Sequence, residues 1–291
     1  MVSASFSTPR INEQQLKDEV RAMPEDFQEE ATRDVLGHSS PIEETPRLVE
    51  EALENLQVEL LKIPECNKQD FLQAEMRCPE YVNSQEFRLM FLRSTANFDA
   101  SVAAQKIVRF WKRKVEIFGS DRAFRKLSIH DLLQDGDDRY ALLQGGVRAL
   151  PGRDEAGRGI LMSFKRYWGD HLSMVRLLWF VVHELLQDVS VQCNGIVVLV
   201  ANGIPVSRLL EDNNGKLDRT AYREVQHILP VRVQAVHIAI TSQLQTKFLV
   251  QPTMFMLEPR LRARLVLHQC DSTNAPSEVA LSLEEYGLTP D

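Results

Sequence analysis

The sequence predicts an α/β fold: a helical lobe followed by a β-sheet layer packed by helices. Three observations lead there. The first is a run of apolar residues at helical spacing between residues 46 and 118. The second is a pair of β-branched runs, Ile196–Ala201 and Val231–Ile240, too short and too rich in Val and Ile for helices. The third is the alternation of such runs with helical patterns after Gly145-Gly146, which builds a sheet covered by helices. The 291 residues, 44% apolar and 26% charged, suffice for a substantial core.

Residues 1–45 show no sustained period and are predicted to be an acidic, largely disordered leader. Residues 1–65 carry 6 basic and 15 acidic side chains, a net of −9, whereas the whole chain is −7. The acidity is therefore confined to the first fifth, and the remainder is slightly basic. An acidic total argues against nucleic acid as a partner, but it is an average over unlike regions. Met1–Arg10 has no apolar core segment, and no apolar run reaches the ~18 residues that span a bilayer. The expectation is a soluble, cytoplasmic monomer.

Thr45-Pro46 caps the first helix and Pro64 ends it, with Val49, Ala52, Leu53, Leu56, Leu60 and Ile63 along one face. A second helix is predicted over Lys68–Arg77 and a third from Ser84. Asp99 caps a long helix that runs to Phe118 and closes at Gly119. Its apolar face is Ala103, Ile107, Phe110, Trp111, Val115 and Phe118; Lys106, Arg109, Lys112, Arg113 and Lys114 form a basic solvent face. Residues 46–144 make up this helical lobe.

From 145 onward, Val147–Leu150 and Gly159–Lys165 read as short strands around the turn segment 151–158. Asp170 caps a helix with Leu172, Val175, Trp179, Val182 and Leu186 inward. Strands follow at 196–201, 231–240 and 264–268, with helices over 219–228 and 245–257.

The chemistry-bearing motifs are negative. Cys66, Cys78, Cys193 and Cys270 form no C-x-x-C pair, and His183-Glu184 lacks the second histidine of a zinc helix. No phosphate-cradling glycine loop or nucleophile elbow is present. No metal, cofactor or catalytic residue is expected.

Several stretches taken in order carry a resemblance. They are Phe91–Asp99 with the basic helix after it, Gly157-Arg158-Gly159 entering a strand, Leu229–Ile238, and Leu257–His268. Together they resemble CRAL-TRIO (Sec14-like) lipid-binding proteins from about residue 86 to 289. The resemblance implies a CRAL-TRIO mixed β-sheet domain over 145–291, with helices enclosing an apolar ligand pocket. It implies a carrier that binds, and transfers between or at membranes, a phospholipid, phosphoinositide or isoprenoid-type lipid. The partners it implies are that hydrophobic ligand and, transiently, an anionic membrane surface. Arg93, Arg232, Arg260 and Arg264 stand where members hold an anionic headgroup, and a guanidinium suits phosphate because it donates two parallel hydrogen bonds. Phe164, Trp179, Phe248, Leu249, Met254, Phe255 and Leu257 are the implied pocket and lid residues. Pro252 would kink that lid helix.

The chain departs from the family at Val200–Gly203, at Val231, at Thr241–Gln243 and at Met254-Phe255. Those at Thr241–Gln243 and Met254-Phe255, together with the acidic leader, motivate an alternative, a non-catalytic interaction module whose pocket is degenerate or closed. An enzyme is a third reading, without a visible nucleophile–base pair to carry it.

Overall fold

The computed structural model describes residues 18–165, 170–202, 223–240, 257–269 and 275–289. Its centre is a five-stranded mixed sheet in the order β1-β2-β3-β4-β5: Val147–Arg153, Gly159–Lys165, Ile196–Asn202, Val233–Ile240 and Leu265–Gln269. The first two strands pair antiparallel as a hairpin and the rest are parallel. A register shift between Ile196 and Val197 lets Val197 face Ala235 and leaves Gln234 unpaired at the start of β4.

Alternation along the strands separates two faces. Leu161, Ile196, Val198, Val236 and Ile238 join the large core beneath the helices, while Ile160, Val197 and Ala235 belong to a small separate cluster on the other side.

The helical lobe follows its sequence signals closely. The helix Glu25–Val35 (α1) precedes Pro46–Lys62 (α2), which Thr45 caps by accepting from the Leu48 amide at 3.2 Å. Gln69–Arg77 (α3), Gln85–Arg93 (α4) and Ala100–Phe118 (α5) come next, the last two capped by Ser84 and Asp99. Gly136–Gln144 (α6) ends at the left-handed Gly145. His171–Leu185 (α7), capped by Asp170, lies between lobe and sheet, and Val189–Asn194 (α8) leads into β3. At Gly195, φ is +78° and an added Cβ would stand 2.7 Å from the Arg232 carbonyl, so only glycine lets this turn approach β4. Pro259–Arg262 (α9) precedes β5, and Ala275–Glu284 (α10) follows it. Trp111, Phe87 and Phe91 of the lobe, Trp179 of α7 and the sheet share one continuous core.

Three expectations are corrected. The leader is not without structure over its whole length, since α1 forms there and packs on β4. Ala31, buried in the contact, with Phe27 and Val35 one turn to either side gives it an apolar edge. The basic face of α5 is not all solvated, because Lys106 and Lys114 are buried. The first strand runs to Arg153, past Pro151 and Gly152, with an irregularity between Ala149 and Arg153 that frees proline from pairing. The helix expected over 245–257 lies outside the described residues, apart from Leu257. No helix among the described residues is long and apolar enough to cross a membrane.

Candidate functional site

A cleft of about 470 Å³ opens where the amino ends of β4 and β5 meet α1, the end of α8 and the start of α5. Arg232, at the entry to β4, and Arg264, just before β5, line it with Arg260 of α9 and Lys106 of α5. Glu30 and Asp34 of α1 line it as well.

Lys106 is 7% exposed, and among the described residues its amine donates to the Ser94 hydroxyl alone, at 3.2 Å. No carboxylate among the described residues pairs with it. Burial pushes its pKa down to about 7, because an amine out of water disfavours its charged form. Arg232 donates to the Cys193 carbonyl, and its Nε is buried without a partner among the described residues. Burial lowers the pKa of this guanidinium too. Arg260 is exposed and lies over the Phe27 ring at 5.5 Å.

Arg264 differs. Its Nε donates to Asp34 Oδ2 at 2.6 Å, its Nη2 stands 3.1 Å from Glu30, and its other Nη donates to the Arg260 carbonyl at 2.9 Å. Phe27 lies under the guanidinium at 5.2 Å. Asp34 also accepts from Ser39, and from the Gln234 amide at 3.3 Å in the orientation that satisfies both groups. Arg93 is not at the cleft. It is held in a fork by Glu44, with Nε and Nη2 each at 2.7 Å, while Nη1 donates to Gln192 at 2.6 Å. That pairing holds the Glu44 carboxyl below the usual range. Of the implied headgroup residues, the structure therefore gathers Arg232, Arg260 and Arg264, and places Arg93 in a separate ion pair.

The implied pocket residues are not gathered in the same way. Trp179 is fully buried, stacks on Phe110 at 5.0 Å and donates its indole N–H to Glu224 at 2.9 Å. The only space it borders among the described cavities is about 10 Å³, room for no more than one water. It is a core residue, because the aromatic cluster of α4 and α5 fills the space beside it. Leu257 is buried in the same core. Phe164 belongs to β2, where its backbone pairs with Ala201, and its side chain lies outside the description. Phe248, Leu249, Met254 and Phe255 lie outside the described residues.

Sequence reasoning missed Lys106 and the leader carboxylates Glu30, Asp34 and Glu44. Signals for both were present. Lys106 and Lys114 fall three or four residues from Ala103, Phe110 and Phe118, on the apolar rather than the solvent side of α5. It also missed a buried polar chain on the outer face of the sheet. His268 Nδ1 lies 2.7 Å from the Ser282 hydroxyl, and its Nε2 lies 2.8 Å from His237 Nδ1. Tyr286 closes over both rings. This chain ties α10 to β4 and β5, and burial lowers the pKa of His237 to about 3. Nearby, Arg158 is buried, pairs with Asp154 and donates to the Asp34 carbonyl of the leader. No group of three or more His, Cys, Asp or Glu able to hold a metal ion occurs among the described residues.

Compared with known protein families and with curated proteins, the chain matches none.

Proposed function

We propose that the protein is a carrier of a hydrophobic ligand with an anionic headgroup, of the CRAL-TRIO (Sec14-like) kind, and that the cleft at the amino ends of β4 and β5 receives the headgroup. One observation carries the reading: the cleft is lined by a buried ammonium, Lys106, and a half-buried guanidinium, Arg232, neither of which has a carboxylate partner among the described residues. Burying cationic groups without a directly paired carboxylate is costly, even with Asp34 and Glu30 near Arg232, and a ligand anion entering the cleft offsets that cost. The exposed Arg260 at the rim supplies attraction toward an anionic surface. The motif order Phe91–Asp99, Gly157–Gly159, Leu229–Ile238 and Leu257–His268 supports the lipid class.

Lipid extraction and mass spectrometry of the purified chain test the reading. The expected result is a co-purifying anionic amphiphile, lost in Arg232→Met. A chain that carries no lipid and takes up none from a broad panel refutes it.

A second reading, an interaction module with a closed pocket, has one observation in its favour. The side of the sheet under α7 is filled by Trp179, Phe110 and their neighbours.

A further inference from the structure

The leader meets the body mainly through charge. Glu19 pairs with Arg262, Glu30 and Asp34 with Arg264, and Glu44 with Arg93. In each pair the carboxylate comes from residues 18–45 and the guanidinium from the folded body. The apolar part of the contact is small: Ala31 is buried, Val35 packs on the outer cluster of Ile160, Val197 and Ala235, and Ile42 packs on the edge of the large core. The ion pairs in this contact, unlike the Arg158 bond to the Asp34 carbonyl, are interactions that an anionic surface can replace one for one. Phosphate and carboxylate oxygens present the same acceptor geometry to a guanidinium.

We propose that segment 18–45 is an intrinsic competitor for the site, a strap whose carboxylates occupy the body's arginines until an anionic membrane surface displaces it. The proposal rests on the reading of the cleft as an anion site and adds its regulation. Three features support it. Glu30 and Asp34, which hold Arg264, line the same cleft as Lys106 and Arg232, so the strap and a ligand anion share one cleft. Phe27 lies beneath both Arg260 and Arg264, so lifting α1 frees the already exposed Arg260 from the ring and uncovers the buried Arg264. Two of the body's paired arginines, Arg262 and Arg264, belong to a stretch, Arg219–His268, with seven basic and two acidic residues, whereas residues 1–65 are −9. Unlike charge therefore draws the strap on, and a denser anionic surface outcompetes it.

The test is co-sedimentation of the full chain with phosphatidylcholine vesicles with and without phosphatidylserine, for wild type and for Glu30→Gln/Glu44→Gln. Glu30 is exposed and Glu44 half-buried, and Asp34 remains to satisfy Arg264, so the fold is retained. Two weakened pairs raise affinity for the phosphatidylserine vesicles by about fivefold, and the gain shrinks with added salt. In wild type, the same vesicles speed tryptic cleavage after the exposed Arg33. Equal binding by both chains together with unchanged cleavage at Arg33 overturns the strap and leaves the anion site standing. Failure of both chains to bind either vesicle overturns the anion site itself.

Discussion

The two faces of the sheet are covered by opposite kinds of contact. Under α7 the sheet meets an aromatic core in which Phe87, Phe91, Trp111 and Trp179 are all but fully buried. Outside, among the described residues, it meets α1 and α10 through Arg158, Arg264, the His237–His268 pair and a small apolar cluster. Apolar burial is worth roughly 25 cal/mol per Å² and does not discriminate among partners. Ion pairs near the surface contribute little net stability but choose partners by charge. The inner face thus holds the fold, while the outer face is where a covering segment can be exchanged.

The largest effects test whether each face depends on what covers it. Arg158→Ala leaves Asp154 buried without its cation and removes the donor to the Asp34 carbonyl; thermal or urea unfolding should show a loss of about 3–5 kcal/mol. Its distinguishing mark is accelerated tryptic cleavage at Arg33 under native conditions. Trp179→Ala opens a cavity on the inner face and strips a donor from Glu224, again at a cost of about 3–5 kcal/mol, but with cleavage at Arg33 unchanged. If both variants free the leader equally, the faces are not independent.

Lys106→Met should move stability the other way. It removes an unpaired buried amine, so urea unfolding shows a gain of about 1–3 kcal/mol while binding to phosphatidylserine vesicles weakens. Unfolding at several pH values adds a second check. The Lys106 pKa falls from 10.5 unfolded to about 7 folded, so the unfolded chain holds the extra proton between those values. Its contribution to stability therefore rises with pH across that window, and the rise is absent in Lys106→Met.

An effect confined to acid pH belongs to the histidine pair. His237 is held neutral by burial, with His268 and Arg158 adding to the effect, and its pKa falls from 6.5 to about 3. The unfolded chain takes up the proton first, so stability present above pH 6.5 is lost as pH falls toward 3. The slope is about 1.4 kcal/mol per pH unit for one proton. His237→Phe should flatten that limb in an acid titration followed by circular dichroism.

Which parts were legible in the sequence follows the same division. Inner-face elements declare themselves through local rules. Thr45-Pro46, Ser84, Asp99 and Asp170 start their helices where capping chemistry requires, and Ile196–Asn202 is a strand because its β-branched run fits one. The outer face depends on pairings between distant residues, such as Arg264 with Asp34 and Arg93 with Glu44, which no local period encodes. An acidic leader therefore reads as a solvated tail until its partners are in place. Lys106 was misread because basic character was weighed above its position on the apolar side of α5. The resemblance named Arg232, Arg260 and Arg264, which do converge, but also Trp179, which the aromatic core had already claimed.

Hydrogen exchange of the full chain, with and without phosphatidylserine vesicles, tests the difference between the faces most directly. The expected result is faster exchange over Glu25–Val35 when vesicles are present, with Ala100–Phe118 and His171–Leu185 unchanged. Bound vesicles with Glu25–Val35 equally or better protected would contradict an outer face that opens to anionic surfaces.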